Sequence, residues 1–142
     1  MMREIKFRGI DFAQLKLKNK QEWVYGDFYR QRSSTNIKLD ADFFIRANGL
    51  YDLKIIPETL SQYTGVKDCK GREIYEGDII EFELKPFETI KGSVEFDYGT
   101  FYIKTNNKEY DNMLLCDINF NLVEVAGNII ENKELIKWNY IN

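Results

Sequence analysis

Few residues in this chain are equipped for chemistry, and their spacing narrows what they could do. Glu81 and Glu83 stand two apart in Ile79-Ile80-Glu81-Phe82-Glu83. On a strand that places two carboxylates on one face about 7 Å apart, at ~3.3 Å per residue. Carboxylates roughly 5–10 Å apart can divide the acid and base roles of glycoside hydrolysis. Every strand that alternates apolar and acidic residues produces this spacing, however. The expected reading is a solvated outer face whose like charges discourage aggregation. Asp40 and Asp42, and the loop from Asn106 to Asp111, offer oxygen ligands for Ca²⁺ or Mg²⁺. Neither follows the EF-hand loop pattern. Ser93 follows Gly92 but has no nucleophile elbow around it. No Gly-x-Gly-x-x-Gly or Walker pattern is present, so no phosphate cradle is expected.

Histidine is absent from all 142 residues. Ser-His and Cys-His couples and His metal ligands are therefore excluded. Cys69 and Cys116 are the two cysteines. One pair completes neither a structural zinc site nor a secreted disulfide framework. Both thiols are expected to be free, as in a reducing cytoplasm. The chain is read as a non-enzyme with no catalytic residue, metal or cofactor.

Nucleic acid is the rival worth weighing. Residues 1–32 carry Arg3, Lys6, Arg8, Lys16, Lys18, Lys20, Arg30 and Arg32 against Glu4, Asp11, Glu22 and Asp27. Phe12, Trp23, Tyr25 and Tyr29 are interleaved with them. Cations for phosphates and aromatic faces for bases are what single-strand binding requires. On that alternative, Lys16, Lys18, Lys20, Arg30 and Arg32 are the contacts. The favoured reading puts Trp23 and Tyr25 in the core and leaves the lysines solvating a loop. Overall charge agrees, since the whole chain is at −3 and a generic polyanion binder is not expected.

The elements that position these residues are mostly strands. Aromatics are 15% and hydrophobic residues 44% of the chain, a β-rich composition with enough apolar mass for a core. Ile5 and Phe7 alternate with charged neighbours, and residues 22–30 read as a strand with Trp23, Tyr25 and Tyr29 on one face. Gly26-Asp27 marks a bulge or bend within it. Residues 11–20 read as a charged connection, and 42–46 as a short apolar strand. Asp68 and Gly71 occupy positions i and i+3 of a type I turn. Gly77-Asp78 forms a second turn, with φ > 0 at Gly77 and backbone N–H groups bonded to Asp78. These four residues are read as structural turn residues. Strands follow at 78–84, 92–98, 100–104 and 122–126. Met113 to Ile118 is a helical turn or short strand, and Glu131 to Trp138 a short helix. Several short strands at close spacing point to a small barrel.

Four pieces of the chain resemble the YopX-like family of phages and prophages of Gram-positive bacteria. They are Met2 to Arg8, the run Ser61 to Asp68 continuing through Gly71 to Ile80, the segment Val94 to Phe101, and Val123 to Asn132. Lys133 stands where the family usually has proline, which loosens the start of the last helix. The resemblance implies an SH3-type barrel in the C-terminal part. It implies no activity, and it carries over no catalytic or ligand-binding residue.

The expected molecule is mainly β. An N-terminal β region, residues 1–60, packs on a C-terminal SH3-like small β-barrel, residues 61–142, that ends in a short helix. Residues 1–71 hold 13 basic and 9 acidic residues; residues 72–142 hold 7 and 14. Opposite charge on the two halves, and more aromatics than one small barrel interior holds, point to a homo-oligomer. No apolar run approaches the ~20 residues of a membrane span. Met1 to Ile10 carries Arg3, Lys6 and Arg8 and lacks an apolar h-region, so it is not read as a signal peptide. The expectation is a phage-type interaction or regulatory module in the host cytoplasm, with an unidentified protein partner.

Overall fold

A computed structural model describes residues 2–32, 41–105 and 107–136. Asp40, Asn106 and Trp138 lie outside the described residues. The chain divides into two compact units, Met1–Tyr63 and Thr64–Asn142.

The first unit is an antiparallel sheet with one helix. Its strands are β1 (Phe7–Ile10), β2 (Trp23–Arg32), β3 (Ala41–Ala47), β4 (Tyr51–Lys54) and the start of β5 (Ser61–Lys67). They lie in the order β4-β3-β2-β1-β5. One face carries the apolar packing: Phe28 meets Phe7 and Phe43 at ring-centroid distances of 5.5 and 5.2 Å, and its register partner Ile45 is fully buried. The register runs through Gly26 without a shift on either side, so the bulge expected there is absent. Glycine is needed at that position because a Cβ would run into the Arg46 carbonyl oxygen of β3.

Residues 11–20 are not a plain connection. They contain an α-helix, α1 (Phe12–Lys18). Asp11 caps it, its Oδ1 accepting from the Gln14 N–H at 3.1 Å. Asn19 closes it in the left-handed conformation. Its lysines hid it: no residue of α1 is fully buried, and its apolar stripe is only the half-buried pair Phe12 and Leu15.

In the second unit β5 continues and pairs with β6 (Glu73–Tyr75). A second antiparallel sheet follows, from β7 (Asp78–Lys85), β8 (Glu88–Asp97), β9 (Thr100–Thr105), β10 (Met113–Leu114) and β11 (Val123–Asn128), in the order β10-β9-β8-β7-β11. Its core is Ile74, Ile80, Phe82, Ile90, Val94, Ile103, Leu115, Ile118 and Val123. The alternation in β7, β8 and β9 sends Ile80, Phe82, Ile90, Val94 and Ile103 to one face.

The small barrel does not close. Strand β10 stops after two residues, where the chain tightens into a 3-10 turn at Leu115–Asp117. At the other edge, the Val123 carbonyl and the Val125 N–H of β11 are already bonded to the turn after β5. Of the expected helix at 131–138, residues 137 and 138 lie outside the described residues; Glu131 and Asn132 are not helical, and Lys133–Ile136 form a 3-10 turn. Just before it, Asn128 Oδ1 accepts from the Ile130 and Glu131 N–H groups, and Asn132 Oδ1 accepts from the Asn128 N–H. Asparagine side chains here hold backbone groups in a turn and compete with a helical start.

Candidate functional site

The most patterned stretch of sequence folds into turns. Asp68 is 6% exposed. Its Oδ1 accepts from the Lys70 and Arg72 N–H groups at 2.9 and 2.8 Å, and its Oδ2 from the Val125 N–H at 3.0 Å. Burial pushes its carboxyl up, but the three N–H donors outweigh that and hold it below the ordinary range. Gly71 has φ +81 and donates its N–H to the Asp68 carbonyl. The Cys69 N–H reaches the Val123 carbonyl, and Lys70 pairs with Glu124 at 2.8 Å. This turn covers the outer edge of β11, the kind of edge that otherwise invites pairing with another chain.

Gly77 has φ +85, donates its N–H to the Val94 carbonyl at 2.7 Å and accepts from the Ile129 N–H at 2.9 Å. Asp78 is buried, with Oδ2 accepting from the Tyr75 N–H at 2.8 Å. Between these anchors, burial raises the pKa of Glu76, and the charge of Glu95 adds to it. Glu95 in turn accepts from the Tyr102 hydroxyl at 2.8 Å, which pushes Tyr102 up to about 12.

The other chemistry-bearing residues have local partners. Glu81 pairs with Lys91 at 3.1 Å, and Glu83 Oε1 accepts from the Phe87 N–H at 2.7 Å, so the two carboxylates are held apart in separate contacts. Cys69 and Cys116 are free and exposed. Asp42 pairs with Lys54. Among the described residues no three His, Cys, Asp or Glu side chains converge as a metal site would require.

The first unit's sheet presents something different on the face opposite Phe28. Directly opposed residues of antiparallel strands share a face. One cross-strand row is Tyr29–Phe44–Lys54, and the next is Asp27–Arg46–Asp52. Tyr29 and Phe44 stack with centroids 5.3 Å apart and planes 13° from parallel. The Arg46 guanidinium stands 5.8 Å from the Tyr29 ring and forks onto Asp52 at 2.8 and 3.2 Å. Hydrogen bonding to Asp52 raises Arg46, and Arg46 lowers Asp52. The Lys54 ammonium lies 4.6 Å from the Phe12 ring of α1, and Lys16 approaches that ring at 5.8 Å. Tyr25, on the same face, is 46% exposed, so it is not a core residue. The Arg8 guanidinium sits 4.4 Å from the Trp23 ring.

The five basic residues singled out in the sequence do not gather. Lys16 and Lys18 are in the last turn of α1, and Lys20 beyond it pairs with Glu22 at 3.5 Å. Arg30 and Arg32 are exposed on β2 but share the parity of Phe28, the face opposite Tyr29. Residues that matter more to the Tyr29 face were not singled out: Phe44, Arg46, Asp52 and Lys54. The alternation of β3 carries the signal, with Asp42, Phe44 and Arg46 on one side and Phe43 and Ile45 on the other.

The family described as YopX protein matches residues 6–137. The chain belongs to the YopX family. Among solved structures, a crystal structure of protein EF1440 from Enterococcus faecalis is similar, with a TM-score of 0.57 and 20% identity over 96% of this chain and 100% of that one. At that identity the likeness speaks to the fold alone. No curated protein matches the chain. Among the described residues of this YopX-family chain, no helix is long and apolar enough to cross a membrane.

Proposed function

We propose that this YopX-family chain is a non-catalytic protein-binding module of the phage type, acting in the host cytoplasm as a homo-oligomer. Its partner-binding surface is the Tyr25–Tyr29–Phe44 face of the first unit. The observation that supports this reading is the composition of that face. Stacked aromatics are bordered by cations that already hold carboxylates, Arg46 on Asp52 and Lys54 on Asp42. Tyr, Phe and Arg are enriched where proteins meet, and the strongest contacts there are aromatic and Arg anchors. A polyanion surface needs cations free to replace counterions. Local pairing of Arg46 and Lys54 favours a protein partner over nucleic acid.

The experiment is a pulldown from infected cells read by mass spectrometry, comparing the wild type with a Tyr29→Ala/Phe44→Ala variant that keeps a cooperative melt. The expected result is one or more proteins captured by the wild type and lost by the variant. An identical captured set, or nuclease-sensitive capture, would overturn the assignment of the face.

A further inference from the structure

We infer that the second unit binds an extended peptide along the end of β9 that β10 leaves uncovered. One apolar side chain of the peptide fills the cavity beside that edge, and Lys or Arg stands next to this anchor. The site lies within residues 64–142 and is separate from the Tyr29 face.

Strand β10 pairs with Ile103 and Tyr102 and ends there. Thr100 and Phe101 continue β9 past it, paired on the other side with Asp97 and Phe96 of β8. The Ile103 carbonyl faces β10, accepting from the Asn112 N–H at 3.0 Å. Backbone groups along an antiparallel strand alternate sides, so Phe101, two residues earlier, turns its N–H and carbonyl the same way. The Thr100 hydroxyl stands 3.4 Å from that carbonyl, a long contact that an incoming N–H displaces. Beside this edge an open cavity of about 220 Å³ is lined by Val66, Phe101, Leu115 and Phe120, with Thr100 and Cys116 among its polar walls. Successive strand residues send their side chains to opposite faces, so a cavity lined by both Thr100 and Phe101 lies at the strand's edge. Phe96 is 47% exposed, meets Phe101 edge-on at 4.9 Å and extends the apolar floor.

An open strand edge next to a pocket is how extended peptides add to sheets: main-chain bonds give affinity, and the pocket selects a side chain. An apolar cavity of roughly 150 Å³ is enough to take benzene, so the side chain of Phe or Leu fits this one. Charge selects what stands beside the anchor. Asp117 is exposed and accepts from the Cys116 thiol at 3.8 Å, which sets its carboxylate at the cavity rim. Asp97 is exposed as well, in register with Thr100. Among the described residues neither is held in an ion pair, unlike the carboxylates of the Tyr29 face. A residue next to the anchor on an added strand points to the face of Thr100 and Asp97, where a long cationic side chain meets the carboxylate. Lys67 adjoins Val66, but residues 64–142 hold 15 acidic and 9 basic residues, so the surroundings also favour a basic peptide.

The test is fluorescence anisotropy of a labelled Thr-Lys-Phe-Lys-Thr peptide with the full chain. Saturable binding is expected. It should weaken by about tenfold or more when the peptide's Phe becomes Ala, when both Lys become Glu, or when the Phe N–H is methylated. Asp97→Lys/Asp117→Lys changes two exposed residues and is expected to bind the Glu peptide better than the Lys peptide. Cys116→Trp, which fills the cavity, is expected to lose the peptide. Should Cys116→Trp fail to fold, labelling Cys116 of a Cys69→Ser protein with N-phenylmaleimide places a ring in the same site. No saturable binding of the Lys peptide, equal binding of the Ala or Glu peptide, an unchanged charge preference in the double variant, or full binding by the cavity-blocked protein would each overturn the inference. Equal binding of the N-methylated peptide, or full competition by free phenylalaninamide, would overturn it too, leaving a site for small apolar molecules.

Discussion

Asp68 shows how much one side chain can organise. It gathers N–H groups from its own turn and from a strand 57 residues away. Replacing it with Asn leaves one acceptor and turns an amide NH₂ toward donors. With hydrogen bonds to a buried charge contributing roughly 1.5–3 kcal/mol, Asp68→Asn is expected to cost about 2–3 kcal/mol in urea unfolding. Its folded carboxyl lies below the unfolded value of about 3.9. That contribution is complete above the unfolded value and is lost as pH falls through the lower folded one. The Asn variant should therefore show a shallower loss of stability in acid than the wild type. Glu76 has the opposite sign. Burial and Glu95 raise its folded pKa, so the ionised form strains the fold at neutral pH and acid relieves it. Glu76→Gln is expected to melt above the wild type at pH 7. The gap should close as pH drops through the folded pKa of Glu76. A gap that grows in acid would contradict this assignment.

At the scale of elements, turns decide where strands begin and what covers their edges. Gly77 must hold φ +85 while both its backbone groups bond to neighbouring segments. Gly77→Val is expected to cost about 1–3 kcal/mol, because a β-branched residue resists positive φ. An unchanged melting temperature would refute that role. Gly127 faces another constraint, since a Cβ there would meet the Asn132 side chain that holds the Asn128 N–H. Strand alternation was legible in β7, β8 and β9 because Ile80, Phe82, Val94 and Ile103 are buried while Glu83 and Lys104 beside them are exposed, although Ile79 and Ser93 bury part of the opposite face as well. Helix α1 was not legible as a helix, because it fully buries no residue and its caps are single side chains. The sheet in the second unit stays open for a reason no strand pattern contains. The Asp68 turn and the early end of β10 occupy its edges.

For the whole molecule, charge is the property most easily misread. The excess of cations in residues 1–32 suits nucleic acid in sequence order. In space Lys16 lies at the Phe12 ring near Lys54, while Arg30 and Arg32 lie on the Phe28 side of β2. Binding to single-stranded DNA near physiological salt is expected to be no tighter than about 10⁻⁴ M, the weak end of the non-specific range. Submicromolar binding by fluorescence anisotropy, lost on changing Lys16, Lys18 and Lys20 to Glu, would reverse the choice of partner class.

The sequence by itself determined the mainly β class, the exclusion of imidazole chemistry and the turn at Asp68–Gly71. Each of these is local: alternation, composition and turn preference act within a few residues. Family membership was also legible there, because the matching run from Ser61 to Ile80 consists of just such turn and strand residues. Only the tertiary structure decided that Tyr25 is half-exposed, that Tyr29 stacks on Phe44, and that Arg46 is committed to Asp52. It alone showed that Asp68 reaches β11. These facts depend on register and on which face a neighbouring strand covers. Neither is encoded in a residue's own neighbours, because a one-residue change of pairing reverses every side chain's face.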